Sequence, residues 1–502
     1  MHSSARSKPS YGTSIQSLLV LVLCWQQAVC LLRSVFRHSD IVTRTGVSGI
    51  FSYHFTLEAD ASETGSVGVV GARMLRWALI MGRLESEIEN GREYHAAYVT
   101  GVGIVSPIGV GRKAFWSSLL ANESGVGPIS LFDASDFDVR IAAECTDFDP
   151  KDFMDRKAAQ RTDRFTQFGL AAAKLALEDA TAWRELEDNA KRVGLILGSG
   201  LGGVSSMEET QYTIDNRGPG RVNPFAVTKI MPNSAAAHVG IQLGIEGPST
   251  APALACACGT DAMGLGYDLI RRGDADVVIC GATEATITPV IVAGFIAMRA
   301  MSRNNGDPAG ACRPYDQDHA GFVIGEGGAV VILESLKSVE RRGAEPYAKI
   351  TGVGRTTDAY NITDPDPKGR GILRAMQIAL QNAGVEGERV SYINPHGTGT
   401  AAGDGPESQA MSSINPNAMV SATKSTLGHS LGASGAIETA ICTLAMKEKM
   451  IPPMRNLETL AEDCAELDYI VNEPRRALNL DVALCANLGV GGHNAAIVLE
   501  QS

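Results

Sequence analysis

Thr250-Ala-Pro-Ala-Leu-Ala-Cys256-Ala-Cys258-Gly-Thr-Asp-Ala-Met-Gly264-Leu-Gly-Tyr-Asp-Leu-Ile270 is the stretch on which the reading of this chain turns. Its first part reads as a short buried strand and a turn. After Cys256, the small residues with Met263, Tyr267 and Ile270 at helical spacing predict a tightly packed helix. Cys256 then sits at a helix N-terminus, where unpaired N–H groups and the helix dipole favour a thiolate. A cysteine so placed is a candidate nucleophile for acyl transfer, and its own N–H can form half of an oxyanion hole. A lone cysteine is more often a small buried hydrophobe. Cys258, two residues on, reads as structural.

Two further stretches raise the weight on Cys256. Asn394-Pro-His396-Gly-Thr398-Gly-Thr400-Ala-Ala-Gly-Asp404-Gly-Pro-Glu407 sets a histidine in a glycine- and threonine-rich loop after an apolar strand. Thr423-Lys424-Ser-Thr-Leu-Gly-His429-Ser-Leu-Gly-Ala-Ser-Gly435-Ala-Ile-Glu438 sets a second one in a similar loop before a helix. One loop histidine is usually an ordinary surface residue. Two at strand-to-helix turns, beside a deeply placed cysteine, form a constellation.

With these residues in view, the chain resembles the β-ketoacyl-[acyl-carrier-protein] synthases of the Cys-His-His type. It is most similar to those that elongate medium and long acyl chains in bacteria and plastids. The resemblance runs from about Tyr98 to Glu500. It includes Val99-Thr-Gly-Val-Gly-Ile-Val-Ser-Pro107, Gly247-Pro-Ser, Arg313-Pro-Tyr-Asp and Gly321-Phe-Val-Ile-Gly-Glu326-Gly. It implies an α/β thiolase-like fold, a five-layer αβαβα sandwich of two similar halves with the active site between them. The implied reaction is decarboxylative condensation of malonyl-carrier with a Cys256-bound acyl chain in fatty acid elongation, with no metal and no cofactor.

The resemblance also assigns residues. His396 and His429 would aim N–H groups at the thioester oxygen of the decarboxylating unit. Lys424 and Glu438 would orient and charge-balance the second histidine. Thr398 and Thr400 would hold the pantetheine arm, Asp404 and Glu407 the loop itself. Leu201, in the run Gly198-Ser-Gly-Leu-Gly-Gly203, would lie near the base of the acyl pocket at a homodimer interface. The partner would be an acidic acyl carrier protein, acyl- and malonyl-loaded, docking on a local basic patch. Lys157 and Arg161, with Arg156 and Arg164, match that patch in part. The C-terminal loop departs from the family. Asn487-Leu-Gly489-Val490-Gly-Gly492-His493-Asn494 carries leucine and valine where phenylalanines are usual, and the second of these acts as a gate over the cysteine. Val490 keeps the backbone N–H that completes the oxyanion hole, without the ring.

Composition sets the outer bounds. A net charge of −12 argues against a nucleic-acid binder. Ten cysteines over 502 residues, without a CxxC pair, suggest neither disulfides nor zinc. Residues 1–93 fall outside the resemblance and read as a targeting extension. Arg6 and Lys8 precede the apolar run Leu18 to Trp25, a signal-like pattern too short to span a bilayer comfortably. From Arg33 to Leu57 the only acid is Asp40, which is transit-peptide-like, and a signal followed by a transit segment suggests a plastid. Mitochondrial import, or cytoplasmic location with translation from Met74 or Met81, is the alternative. No membrane association is expected of the mature protein.

Two similar halves are expected, 94–345 and 346–502. Val99-Thr-Gly-Val-Gly103 recurs as Ile350-Thr-Gly-Val-Gly354, each at the head of a strand–helix series. The glycine run after Val193-Gly-Leu-Ile-Leu197 lacks the acidic partner of a dinucleotide site. Among enzymes, a thiolase would carry a second cysteine near Val490, and starter-unit or chalcone-type synthases would carry asparagine at His429. A polyketide ketosynthase shares the three residues and remains the runner-up. A non-enzymatic chain-length-factor-like subunit would lack Cys256.

Overall fold

The two copies of Thr-Gly-Val-Gly head two halves of one mixed sheet. The computed structural model describes residues 96–502, with two short paired strands at Ile88–Glu89 and Arg92–Glu93. The signal-like and transit-like segments lie outside the described residues.

In the first half the strands are β1 (Ala97–Ser106), β2 (Val193–Gly198), β3 (Ser249–Thr250), β4 (Val277–Glu284) and β5 (Gly327–Ser335). The second half holds β6 (Ala348–Thr357), β7 (Tyr392–Asn394), β8 (Met419–Val420), β9 (Asp468–Tyr469), β10 (Val482–Gly489) and β11 (His493–Glu500). The order across the sheet is β9-β8-β7-β10-β11-β6-β1-β5-β4-β2-β3. Reading outward from the middle, β1-β5-β4-β2-β3 mirrors β6-β11-β10-β7-β8. Pairing directions match as well: β2 runs parallel to β3 and β4, as β7 does to β8 and β10, and the inner pairs are antiparallel. The repeat seen in five residues is a repeat of topology.

Its glycines have a steric cause. Helix α1 (Arg164–Ala180) packs on β1, and a Cβ on Gly103 would meet Ala172 O at 2.0 Å. In the second half a Cβ on Gly354 would meet Ala375 O at 1.9 Å, so only glycine admits each outer helix this close.

Helix α2 (Cys258–Arg271) is flanked by strands of both halves, and helix α3 (Pro289–Ala297) follows β4. Helix α4 (Arg370–Ala383) covers β6 and β11, and helix α5 (Ser434–Glu448) packs directly on α2. Outer helix, sheet, the α2–α5 pair, sheet and outer helix give the five layers. Both central helices are buried nearly all round, and the acids Asp261 and Asp268 of α2 are paired with Arg355. One expectation is corrected here. Ser249–Thr250 is the only strand in the lead-in to Cys256, and it is exposed on the sheet edge instead of buried. Among the described residues, no helix is long and apolar enough to cross a membrane.

Candidate active site

Cys256 lies in a single 3-10 turn, Ala255–Ala257, immediately before α2. Ala255 has φ +47°, left-handed backbone that an alanine adopts only at a cost, and the sharp bend brings the thiol to the helix start. The thiol is nearly buried, at 5% exposure, in an apolar cluster with Ile287, Val292, Phe322 and Leu431. That burial pushes its pKa up to about 11, against the opposing pull of the N–H groups of Val490 and of Cys256 itself. The sequence argument for a ready thiolate therefore fails. The helix start is present, but desolvation outweighs it. The two N–H groups expected to form the oxyanion hole do converge on the sulfur.

His429 stands on the segment before α5. Its N–H donates to Val323 O at 2.7 Å, and Gly325 N–H donates to its carbonyl at 2.9 Å, so the Gly321–Gly327 stretch clamps this loop. Its Nε2 is 3.1 Å from Cys256 Sγ and its Nδ1 is 2.9 Å from Ser434 Oγ. Phe322 packs edge-on against the ring, 5.3 Å between centroids. His396 follows β7, with its ring centroid 5.1 Å from that of His429 and the planes 86° apart. Burial first, and the nearby Lys424 charge second, hold both imidazoles well below the usual histidine pKa. Both rings are neutral at pH 7, and each offers one N–H.

The loop carrying His396 is held as expected. Glu407 accepts the N–H groups of His396 (2.6 Å) and Gly397 (2.8 Å), and Asp404 accepts those of Gly399 and Thr400. Thr398 and Thr400 face each other, 3.0 Å between hydroxyls. Lys424 Nζ forms a fully buried ion pair with Glu438 Oε1. Cys258 points away and donates its S–H to Pro252 O, as a structural residue does.

The other assigned residues lie nearer the surface. Leu201 is 43% exposed, on a turn whose N–H groups (Gly200, Leu201) bond to Glu284. Glu284 also accepts from Ser199 and from Gly432 N–H beside the His429 loop, and burial raises its pKa to about 7. Lys157 is exposed, on the short helix Arg156–Arg161, while Arg161 is half-buried with its guanidinium 4.6 Å from the Phe225 ring. Arg164 is partly exposed, and its Nε and Nη2 chelate the buried Glu326.

Sequence reasoning missed Asn487, Ser434, Thr260 and Glu284. Asn487 Nδ2 donates to Glu438 Oε2 at 2.6 Å and lies 3.3 Å from His396 Nδ1. Its partners are 49 and 91 residues away, so no local pattern marks it. Cysteine and histidine are also zinc ligands, and the ligand atoms of Cys256, His396 and His429 lie within 4.8 Å of one another. The pKa and hydrogen-bond pattern around them suits a proton-handling site equally.

Comparison with known proteins agrees with this geometry. The family described as "Beta-ketoacyl synthase, N-terminal domain" matches residues 96–338, and "Beta-ketoacyl synthase, C-terminal domain" matches 347–458. A protein of Synechocystis sp. named 3-oxoacyl-[acyl-carrier-protein] synthase 2 is 43% identical over 407 residues, 80% of this chain and 97% of its own. A Staphylococcus aureus protein of the same name is 42% identical over 408 residues, again 80% and 97%. Among solved structures, the ishigamide ketosynthase/chain length factor superposes with a TM-score of 0.76 at 30% identity, over 82% of this chain and 100% of that one.

Proposed function

The chain belongs to the β-ketoacyl synthase family, and from that premise we propose that it is a 3-oxoacyl-[acyl-carrier-protein] synthase of fatty acid elongation. The observation that carries the reading is the meeting of Cys256, His396 and His429, from both halves, at one apolar site with two converging backbone donors.

In the first half-reaction the Cys256 sulfur attacks the thioester carbon of acyl-carrier. The thiol starts protonated, so the 3.1 Å contact is S–H···Nε2, and His429 takes the proton as the C–S bond forms. The proton leaves with the carrier thiolate. The tetrahedral oxyanion is held by the N–H groups of Cys256 and Val490, a pair of donors fixed before reaction begins. In the second half-reaction malonyl-carrier loses carbon dioxide, and the enolate oxygen meets imidazole N–H. The enolate carbon attacks the acyl-Cys256 carbonyl, the same two backbone donors hold the new oxyanion, and the Cys256 thiolate departs and takes a proton from solvent. Ser434 bears on both halves. A hydroxyl accepts from or donates to His429 Nδ1, so His429 can serve as proton acceptor in one step and N–H donor in the other.

The partner follows from the substrate. Acyl- and malonyl-loaded carrier protein docks near the exposed Lys157, with Arg161 at the side, and Thr398 and Thr400 receive the pantetheine arm. The homodimer reading is supported by β3, an exposed edge strand at the end of the sheet. Exposed Val227, Met231, Ile241, Val290 and Met298 on the same half add apolar surface of the kind interfaces bury. Import into a plastid rests on the composition of the N-terminal segment alone. The test of function is condensation by the protein lacking residues 1–93, with malonyl-carrier and acyl-carriers of graded length. Absence of any 3-oxoacyl product would reject the reading. Light scattering at micromolar concentration tests the dimer, and imaging of a fluorescent fusion to residues 1–93 tests the address.

A further inference from the structure

We infer that Asn487 is a positioning residue that fixes which nitrogen of His396 carries the proton, so that its Nε2–H faces the substrate. The inference rests on the condensing reading above, in which a neutral imidazole must donate to an oxygen. A neutral ring has one N–H, and the ring's own preference for Nε2–H is weak enough for a neighbouring hydrogen bond to overturn.

The side-chain amide of Asn487 is locked on both sides. Its Oδ1 accepts from the Thr260 hydroxyl, and its Nδ2 donates to Glu438 Oε2 at 2.6 Å. The reverse orientation would set the amide oxygen against a carboxylate oxygen, which is repulsive. Glu438 is itself held by Lys424 through its other oxygen. The remaining N–H of Nδ2 therefore points to His396 Nδ1, 3.3 Å away, and Nδ1 can only accept. The proton is left on Nε2.

Packing supports the same assignment. Asn487 is fully buried at the end of β10, and the lock is possible only because α5 carries Gly435 there. A Cβ at that position would lie 2.1 Å from Thr260 Oγ1 and 2.6 Å from Asn487 Oδ1. The relay Lys424–Glu438–Asn487–His396 thus serves the first histidine. The pair was expected to serve the second, whose Nδ1 is met by Ser434 instead.

The experiment reads the tautomer directly. In protein labelled with 15N-histidine, two-bond 1H–15N spectra distinguish Nε2–H from Nδ1–H, and the His396 signal is identified by its loss in His396→Gln. Wild type should show Nε2–H. Asn487→Leu should give a mixture, and Asn487→Asp, whose carboxylate can only accept from the ring, should shift it toward Nδ1–H. Malonyl decarboxylation should fall in step with the fraction of Nε2–H lost, severalfold in Asn487→Leu and up to about 100- to 1000-fold in Asn487→Asp where the donor is withdrawn, while acylation of Cys256 stays within about threefold. In a His396→Ala background Asn487→Leu should cost nothing further, as residues acting through one another are non-additive. Nδ1–H in the wild type would overturn the inference, and that reading needs no variant to fold. Equal loss of both half-reactions in folded Asn487→Leu, or an undiminished loss in the His396→Ala background, would overturn it too. A wild type with Nε2–H that forms no acyl-enzyme with any carrier would instead overturn the condensing function and leave the tautomer assignment standing.

Discussion

Ala255 and Leu431 hold the same left-handed backbone, φ +47° and +45°, at matching points of the two halves. Each opens a 3-10 turn, Ala255–Ala257 and Leu431–Ala433, that leads into a central helix, α2 or α5. The duplicated bend aims two helix starts at one place. The next residue is Cys256 in the first copy and Gly432 in the second, where a Cβ would meet Glu284 Oε2 at 2.5 Å. One half supplies the nucleophile, and the other, through the loop just before its turn, supplies His429.

The nucleophile gives the simplest prediction. Cys256→Ala should remove the acyl adduct seen by intact-protein mass spectrometry after incubation with acyl-carrier, and condensation with it. An adduct that survives in that variant, or one mapped to Cys258, would refute the assignment; Cys258 is buried and bonded to Pro252 O.

The two histidines should separate by half-reaction. His429→Ala removes the group 3.1 Å from the sulfur, so both acylation and condensation should drop, each by roughly 100-fold or more. His396→Ala should leave acylation nearly intact and lower decarboxylation about 100- to 1000-fold. The sequence places His429 in the malonyl step, and its contact with the thiol adds a proposed role in acylation. Retained acylation in His429→Ala would remove that role.

The thiol pKa sets a pH profile. With its value raised to about 11 by burial, Cys256 is protonated at neutral pH and gains thiolate as pH rises. Alkylation by iodoacetamide should therefore climb about tenfold per pH unit from pH 7.5 to 10, with no plateau near 8.5, where free cysteine titrates. A plateau below pH 8 would show that the N–H groups of Val490 and Cys256 outweigh desolvation after all.

What could be read from the chain was what lies within short stretches. The strand-turn-helix around Cys256, both histidine loops and the duplicated Thr-Gly-Val-Gly each fit inside about 20 residues, where periodicity and glycine placement act. The five-layer architecture followed from resemblance and is matched by the observed sheet. The thiol's protonation was misjudged because a dipole can be read from position, whereas desolvation depends on Phe322, Ile287 and Leu431 arriving from elsewhere. Asn487 carries no local signal, since its meaning lies in Glu438 and His396 across the core. Arg164 looked like a surface charge because Glu326, its partner, is 162 residues away.

The buried pair Lys424–Glu438 should show the asymmetry of desolvated charges. Lys424→Met leaves Glu438 buried without its cation, and burial already raises that carboxyl's pKa. A loss of about 3–5 kcal/mol in denaturant unfolding is expected, with much of it recovered in Lys424→Met/Glu438→Leu. The double variant should still lose decarboxylation, because Asn487 then lacks the carboxylate that orients it. A single variant as stable as wild type would mean that water or protonation satisfies Glu438.

Val490 controls the approach to the sulfur. Its N–H reaches Cys256, while its side chain is 42% exposed and too short to cover the thiol as a phenylalanine ring would. The loop behind it is fixed: Gly491 N–H donates to Ile362 O at 3.0 Å, and Asn494 Nδ2 donates to Asp358 Oδ1 at 2.6 Å. A loop so tied cannot readily fold inward to replace a missing ring. Water should therefore reach acyl-Cys256 when malonyl-carrier is absent, and acyl-carriers of different length should be weakly discriminated. Val490→Phe should slow single-turnover decay of the acyl-enzyme and sharpen the chain-length profile, since the exposed Cβ position leaves room for the ring. Because the oxyanion donor is backbone, acylation itself should change little. Identical decay and identical profiles in a folded variant would place the gate on another residue, with Phe322 against His429 the first to examine.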